Sequence, residues 1–342
     1  MATRDLADHF VQATEAAAVA ASKWIGLGDG KAADGAAVEA MRAVFDNIPF
    51  DGRVAIGEGE RDDAPMLWIG EPLGSMQGKP GSPSIDIAVD PLECTNHVAL
   101  DKPNAMAVLA AAPRGALLHA PDCYMDKITG PTEMAGHISL EADVSYNVEA
   151  ACSVLDKHSS LLKVVVMDRP RHEDLIRDLN QYDVDVVLIG DGDIAAALNA
   201  ADPNSDIDML MGIGAAPEGV ITATALRGLK APFEGRLIFK NDGHRDRAEK
   251  MIDGDVDRLW SRDELCSSDD SIFIGTGVCA GRTRGVEETE DGHHSVHSEV
   301  IDVSSGEHYY LSSVRCHHLL RPTRIYEAIV WMKDYSSKQR IS

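Results

Sequence analysis

Two carboxylates and a hydroxyl follow one another at the end of an apolar run in Ile85-Asp86-Ile87-Ala88-Val89-Asp90-Pro91-Leu92-Glu93-Cys94-Thr95. Asp90 and Glu93 stand close enough to repel each other unless a cation lies between them, and hard oxygen ligands of this kind suit magnesium or manganese. Thr95 follows at a spacing that would let its hydroxyl reach whatever those ions hold. The same residues would serve equally as an acidic surface turn opening a helix, and the stretch alone leaves both readings open. Three further carboxylates occur where a strand or loop meets the next element: Asp34 after a glycine loop, Glu58 after Arg53-Val54-Ala55-Ile56, and Glu218 after the segment 208–213. Singly, each reads as a solvated turn residue. Together, Asp34, Glu58, Asp90, Glu93 and Glu218 suit two or three divalent cations that share carboxylates, with phosphate oxygens and water completing each shell.

Arg169-Pro170-Arg171-His172 sets two guanidinium groups after an apolar run, and guanidinium grips phosphate in bidentate fashion while Pro170 stiffens the turn. In isolation the tetrapeptide reads as a basic surface turn. Asp191-Gly192-Asp193 offers carboxylates for sugar hydroxyls or, equally, a helix cap. Tyr124, after Ala120-Pro121-Asp122-Cys123, would reach a phosphate or pack in the core. His293, His294, His297, His308, His317 and His318 enrich the C-terminal region, but without cysteine or carboxylate at metal-ligand spacing they read as ordinary polar strand positions. Cys94 is tied to no histidine by a recognised motif and reads as an inert thiol.

Elements that must position these groups are visible in the periodicity. Leu6, Phe10, Ala13, Ala17, Ala20, Ala21 and Trp24 predict an amphipathic helix over 5–25. Gly26, Gly28 and Gly30 predict a loop after it, and Ala33-Asp34-Gly35 a second helix. Ile85, Ile87 and Val89 alternate with Asp86 and Ala88 as in a strand with one buried face, which Pro91 is expected to stop because it cannot donate to a ladder. Strands are also expected at 53–56, 106–112, 161–167, 184–189, 208–213, 271–277 and 296–303. A helix is expected through 195–198, helix and loop over 241–271, and an exposed loop at 74–84. The alternation after residue 160 predicts a sheet covered by helices, hence an α/β protein with ligands at the carboxyl ends of strands. We divide the chain into a metal-binding half, 1–160, a half completing the substrate site, 161–318, and a tail, 319–342, where Ile325, Ala328, Ile329 and Met332 keep helical spacing.

The chain has 342 residues and a net charge of −24, which makes nucleic acid an unsuitable partner. An acidic protein that takes an anionic substrate needs local cations, and bound metals would supply them. Cys94, Cys123, Cys152, Cys266, Cys279 and Cys316 form no C-x-x-C pair and no disulfide framework, so a reducing cytoplasm is expected. No apolar run approaches a transmembrane span, and Met1-Ala2-Thr3-Arg4-Asp5 lacks a signal-peptide core.

Four longer segments carry a family resemblance. Gly57-Glu58-Gly59-Glu60-Arg61-Asp62-Asp63-Ala64-Pro65-Met66-Leu67, Ala120-Pro121-Asp122-Cys123-Tyr124-Met125, Met167-Asp168-Arg169-Pro170-Arg171-His172 and Gly212-Ile213-Gly214-Ala215-Ala216-Pro217-Glu218-Gly219-Val220 occur in the order and spacing of the bacterial class II fructose-1,6-bisphosphatases, which the chain resembles from about residue 5 to about 318. Cyanobacterial members of that family also hydrolyse sedoheptulose 1,7-bisphosphate. The resemblance implies the layered αβαβα fold of the lithium-sensitive, metal-dependent sugar phosphatases. It puts Asp34, Glu58, Asp90, Glu93 and Glu218 on the metal-ligand positions. Thr95 falls on the hydroxyl that orients the attacking water, with Asp34 and Glu58 beside it in the catalytic set. Glu93, Cys94, Thr95, Tyr124, Arg169, Pro170, Arg171, Asp191, Gly192, Asp193 and Ala215 fall where the family holds the bisphosphorylated sugar. The chain departs from the pattern at Cys94, where the family has glycine, and at Gly30-Lys31-Ala32, where the family's lysine is displaced by one position.

The expected activity is magnesium- or manganese-dependent hydrolysis of the 1-phosphate of fructose 1,6-bisphosphate, with the seven-carbon bisphosphate as an open second substrate, in gluconeogenesis or the Calvin cycle. A homo-oligomer, dimer or tetramer, is the family-level expectation. Two alternatives stand beside it. One is a related phosphatase acting on an inositol phosphate or a nucleotide 3′-phosphate. The other is a catalytically weakened sugar-phosphate-binding protein, motivated by Cys94.

Overall fold

The computed structural model describes residues 2–59 and 66–315, so the predicted tail, Cys316, His317 and His318 lie outside the described residues. The chain opens with a 3-10 turn, Thr3–Leu6, and α1 (Ala7–Ser22), α2 (Gly30–Phe45), β1 (Asp51–Ile56), β2 (Pro72–Leu73), β3 (Ser84–Glu93), α3 (Thr95–Ala99), β4 (Met106–Pro113) and β5 (Tyr124–Thr129). Then come α4 (Val144–Leu155), β6 (Lys163–Met167), α5 (Glu173–Gln181), β7 (Asp185–Ile189), α6 (Asp193–Ala201), β8 (Met209–Ala215), α7 (Ala216–Leu229) and β9 (Phe233–Ile238). The last are α8 (Asp242–Met251), β10 (Leu259–Ser261), α9 (Arg262–Leu265), β11 (Ile272–Gly277), β12 (Glu287–Glu288), β13 (His294–Asp302) and β14 (Glu307–Arg315).

The strands form two sheets. The first runs β12-β13-β11-β4-β3-β1-β2, with β14 paired to β13; the second runs β10-β9-β5-β8-β6-β7. The division of the sequence at residue 160 does not coincide with the division between sheets: β5 joins the second sheet, while β11 to β14 return to the first. Parallel pairing is confined to β1 with β3 and to β6 with β7 and β8, among the described residues. The second sheet is therefore mixed rather than the product of a simple βαβ alternation.

Strand alternation sorts side chains to the two faces. Ala107, Leu109 and Ala111 of β4 join Phe10 and Ala17 of α1 and Met41 of α2 in one cluster. Met106, Val108 and Ala110, from the opposite face, join Val220 and Ala223 of α7 and Met125 of the second sheet in another. The far face of the second sheet, with Ile128, Val164 and Met211, packs on Val148 of α4 and Leu179 of α5. The packing order is thus α1 and α2, first sheet, α7, second sheet, α4 and α5. No helix of the described residues is long and apolar enough to cross a membrane.

Two local expectations are corrected. Pro91 does not stop β3, which continues to Glu93 through a register shift: Asp90 pairs with Val108 but Glu93 with Met106. One extra residue sits on β3 there, and a proline is tolerated at such a bulge because the ladder is already interrupted. The second helix begins at Gly30 rather than near Ala33, because the Asp29 side chain accepts the Ala32 N–H at 2.9 Å and caps the helix early. Asp34 therefore lies in the second turn of α2, not directly after a glycine loop.

Candidate active site

The bulge in β3 decides where its carboxylates go. In an unbroken strand, residues three apart point to opposite faces. The extra residue reverses that parity, so Asp90 and Glu93 pair with Val108 and Met106, which share one face of β4. That face meets α7, whose first turn carries Glu218 behind Pro217. Proline suits the start of a helix, and a carboxylate there is favoured by the helix dipole. One ligand oxygen from each of Asp90, Glu93 and Glu218 lies within 4.8 Å of the other two. Oε2 of Glu218 is buried without a hydrogen-bond partner among the described residues.

The electrostatics bring in two more elements. Burial pushes the Glu58 carboxyl up to about 9, helped by the negative charges of Asp90, Asp34 and Glu218. Burial likewise raises Glu218 to about 8, with Asp193 adding repulsion. Asp90 rises to about 6 and Glu93 well above the usual carboxylate range, both chiefly through burial, and the two share a side-chain hydrogen bond. Asp34 is raised by burial as well. Burial is the larger cause throughout, and the charges of Asp90, Asp34 and Glu218 that also act on Glu58 come from the β3 bulge, α2 and α7. Glu58 is held there by its own N–H, which donates to the Leu67 carbonyl at 3.0 Å. Gly57 allows that approach, since a side chain on it would strike the same carbonyl. Carboxylates that disfavour their ionised forms this strongly suit a site whose charge is completed by cations. An oxygen-only donor set with one orphaned buried oxygen fits a hard divalent ion.

Thr95 begins α3, and its Oγ1 donates to the Leu92 carbonyl at 3.0 Å. Cys94 precedes it in the left-handed region, φ 65° and ψ 47°. The chain thus takes the torsions that glycine adopts freely, with a cysteine in place. The Cys94 thiol is buried and pushed far up by desolvation and nearby carboxylates, so it stays protonated. Its Sγ lies against Gly192, where a Cβ would come to 2.9 Å. Gly192 (φ 92°) caps α6, and Asp191 Oδ1 accepts the Gly192 N–H at 3.1 Å. Asp193 is not a helix cap. It is the first residue of α6, buried, and bound through Oδ2 to Nζ of Lys127 at 2.5 Å.

The cationic side is built on the ends of β6, β8 and β5. Arg171 forks onto the Ile213 carbonyl with Nε at 3.0 Å and Nη2 at 2.7 Å. Arg169 donates to the carbonyls of Asp168 (2.9 Å) and Gly190 (2.6 Å). Pro170 opens the 3-10 turn Pro170–His172 between them. Buried His172 ties this turn down: Nδ1 lies 2.7 Å from the Met167 carbonyl, and Nε2 accepts the Ile213 N–H at 2.7 Å. Desolvation lowers its pKa, in keeping with a neutral ring. Tyr124 pairs with Ala215, the last residue of β8 and the cap of α7, so β8 connects the arginine turn to Glu218. The Arg171 guanidinium stands 4.8 Å from the Tyr124 ring centroid.

Sequence reasoning missed Lys127 and Lys240, which donates through Nζ to the Tyr124 hydroxyl at 2.8 Å. Neither lies in a spacing that signals a site; each is recruited by sheet pairing. Of the described histidines in the C-terminal region, His297 and His308 are polar strand residues, with His297 on Ser312 (2.8 Å) and His308 on Glu299 (2.8 Å).

Comparison with known proteins identifies the family. The family described as "Bacterial fructose-1,6-bisphosphatase, glpX-encoded" matches residues 4–315. A Synechococcus protein named D-fructose 1,6-bisphosphatase class 2/sedoheptulose 1,7-bisphosphatase is 45% identical over 295 residues, covering 80% of this chain and 84% of its own. An Escherichia coli protein named fructose-1,6-bisphosphatase 1 class 2 is 39% identical over 290 residues, covering 81% and 85%. A Synechocystis protein with the same double name as the first is 38% identical over 317 residues, covering 87% and 91%. A chain matched over nearly its whole length by this family and its relatives belongs to the glpX-type, class II bacterial fructose-1,6-bisphosphatases.

Proposed function

We propose that this chain hydrolyses the 1-phosphate of fructose 1,6-bisphosphate, giving the monophosphate and inorganic phosphate, with sedoheptulose 1,7-bisphosphate as a second substrate. The observation that carries the reading is the meeting, along β8 and α7, of a carboxylate cluster with arginines that find no carboxylate among the described residues. A chain with 56 acidic and 32 basic residues has carboxylates in excess, so cations left without them mark a place for a different anion.

Asp34, Glu58, Asp90, Glu93 and Glu218 would hold magnesium or manganese, which when bound offsets phosphoryl charge and makes water more acidic. Thr95 commits its own proton to the Leu92 carbonyl, so its oxygen is left to accept a hydrogen bond from the attacking water and orient it. Asp34 and Glu58 are the groups we assign to take the water's proton. Arg169 and Arg171 would clamp the distal phosphate across the stiff Pro170 turn, with Tyr124 beside them. Asp191 would hold sugar hydroxyls. Asp193 would do so with the one oxygen that Lys127 leaves it. Cys94 keeps the turn that sets Thr95, which favours a working enzyme over a weakened binding protein. The packing of helices and sheets supports the layered αβαβα fold of the lithium-sensitive sugar phosphatases. A cytoplasmic homo-oligomer, dimer or tetramer, completes the proposal.

The test is a phosphate-release screen with magnesium and manganese over both sugar bisphosphates, an inositol monophosphate and a nucleotide 3′-phosphate. Turnover concentrated on the sugar bisphosphates is expected. Turnover on the inositol phosphate or the nucleotide alone would overturn the reading.

A further inference from the structure

We propose that Lys240 is a third cationic ligand of the distal phosphate of the sugar bisphosphate, completing a clamp with Arg171 and Tyr124. The inference rests on the function proposed above and adds to it a residue that no sequence motif marks.

Tyr124 pairs with Ile238 at the end of β9, and Lys240 follows two residues later, at the turn into α8. The chain folds back so that Nζ lies 4.0 Å from the Tyr124 ring centroid and 2.8 Å from its hydroxyl. The Arg171 guanidinium approaches the same ring at 4.8 Å. One phenol thus gathers two cations, Lys240 foremost, which lower its pKa against partial burial and the charge of Asp122. Neither cation forms an ion pair with a carboxylate among the described residues. Their neighbours do: Arg236 faces Glu141 at 3.9 Å and Arg245 binds Asp257 at 2.6 Å. Lys240 and Arg171 are both exposed, so their heads are accessible to solvent and to a ligand.

The donor geometry is that of an anion site. The phenol oxygen accepts from Lys240, which leaves the phenol proton free to donate outward. The ammonium keeps two further N–H groups, and the guanidinium presents the N–H edge not spent on Ile213. A phosphate dianion with several acceptor oxygens matches such an array, and a neutral sugar hydroxyl does not. The flexible ammonium supplies charge, while the tethered guanidinium supplies direction.

The experiment compares wild type, Lys240→Met and Lys240→Arg on fructose 1,6-bisphosphate and on fructose 1-phosphate, which lacks the distal phosphate, reading kcat and KM separately. Loss of one charge-assisted contact should raise KM for the bisphosphate about tenfold to a hundredfold in Lys240→Met, with kcat within about threefold. Lys240→Arg should recover most of that loss, which a purely structural lysine would not predict. On fructose 1-phosphate the loss should shrink to less than about threefold, because the group Lys240 binds is absent. If wild type releases no phosphate from the bisphosphate, the functional reading falls and this assignment falls with it. If wild type is active and Lys240→Met leaves KM for the bisphosphate unchanged, or raises it equally for both substrates, the Lys240 assignment alone is overturned.

Discussion

Replacing Cys94 by glycine asks whether the departure at this position weakens the catalytic turn. At φ 65° and ψ 47° an L-residue carries about 1 kcal/mol of backbone strain that glycine would relieve. Against that gain stand two losses. Glycine makes the unfolded chain more flexible, at about 0.4–1 kcal/mol. It also removes the buried methylene and thiol of Cys94, 4% exposed and packed on Gly192, worth about 1 kcal/mol. The sum predicts about 0.4–1 kcal/mol of destabilisation. Because cysteine already holds the torsions glycine would hold, Thr95 keeps its bond to Leu92 and phosphate release should change less than about fivefold. Urea unfolding gives the first quantity and steady-state kinetics with manganese the second. A rise in kcat by two orders of magnitude in Cys94→Gly would refute the reasoning and restore the weakened binding protein as the account of the natural chain.

Thr95→Ala should lower kcat by about a hundredfold to a thousandfold while leaving KM within about threefold, since it removes the acceptor for the water and no substrate charge; steady-state kinetics on fructose 1,6-bisphosphate decides it. Glu58 and Glu218 titrate near 9 and 8 in the folded protein, above their unfolded values, so their burial costs stability once both states would ionise and is relieved as pH falls. Metal-stripped protein should therefore melt higher at pH 6 than at pH 9, and manganese should raise Tm more at pH 9; thermal melts at both pH values check the sign. Glu299 behaves oppositely: Arg282 and His308 hold it down to about 2, so its contribution is present above the unfolded value and is lost as pH falls from about 4.5 toward 2. Glu299→Gln removes the two-pronged carboxylate partner of buried Arg282, leaving it Asp202 at 3.7 Å and Asn199 at 2.8 Å, and should cost about 3 kcal/mol by denaturant unfolding at pH 7.

What the sequence made legible was local. The alternation of Ile85, Ile87 and Val89 identified β3, and the spacing of Phe10, Ala13 and Ala17 identified α1, because one buried face leaves a simple period. The direction of the Asp90 and Glu93 side chains was not legible, since it depends on a bulge opposite β4 that only pairing reveals. β5 went unread for a related reason. Tyr124-Met125-Asp126-Lys127-Ile128-Thr129 puts a lysine in a core position, and that lysine is tolerable only because Asp193, 66 residues later, meets it. β9 and α7 were unread as elements too. With β9 unseen, Lys240 had no route to Tyr124. Arg169, Arg171, Glu58 and Glu218 could be named and the carboxylates grouped from residue type and position, but the carbonyls of Gly190 and Ile213 that hold the arginines, and the lysine that joins Tyr124, could not.

In the proposed function the carboxylates around the β3 bulge hold divalent cations on which sugar-bisphosphate hydrolysis depends. Phosphate release from fructose 1,6-bisphosphate should be measured on metal-stripped protein as manganese is titrated in, with a chelator added at the end. Release should be absent without metal, rise to saturation with manganese, and be abolished by the chelator. Full release from stripped protein in the presence of chelator would contradict the proposed function.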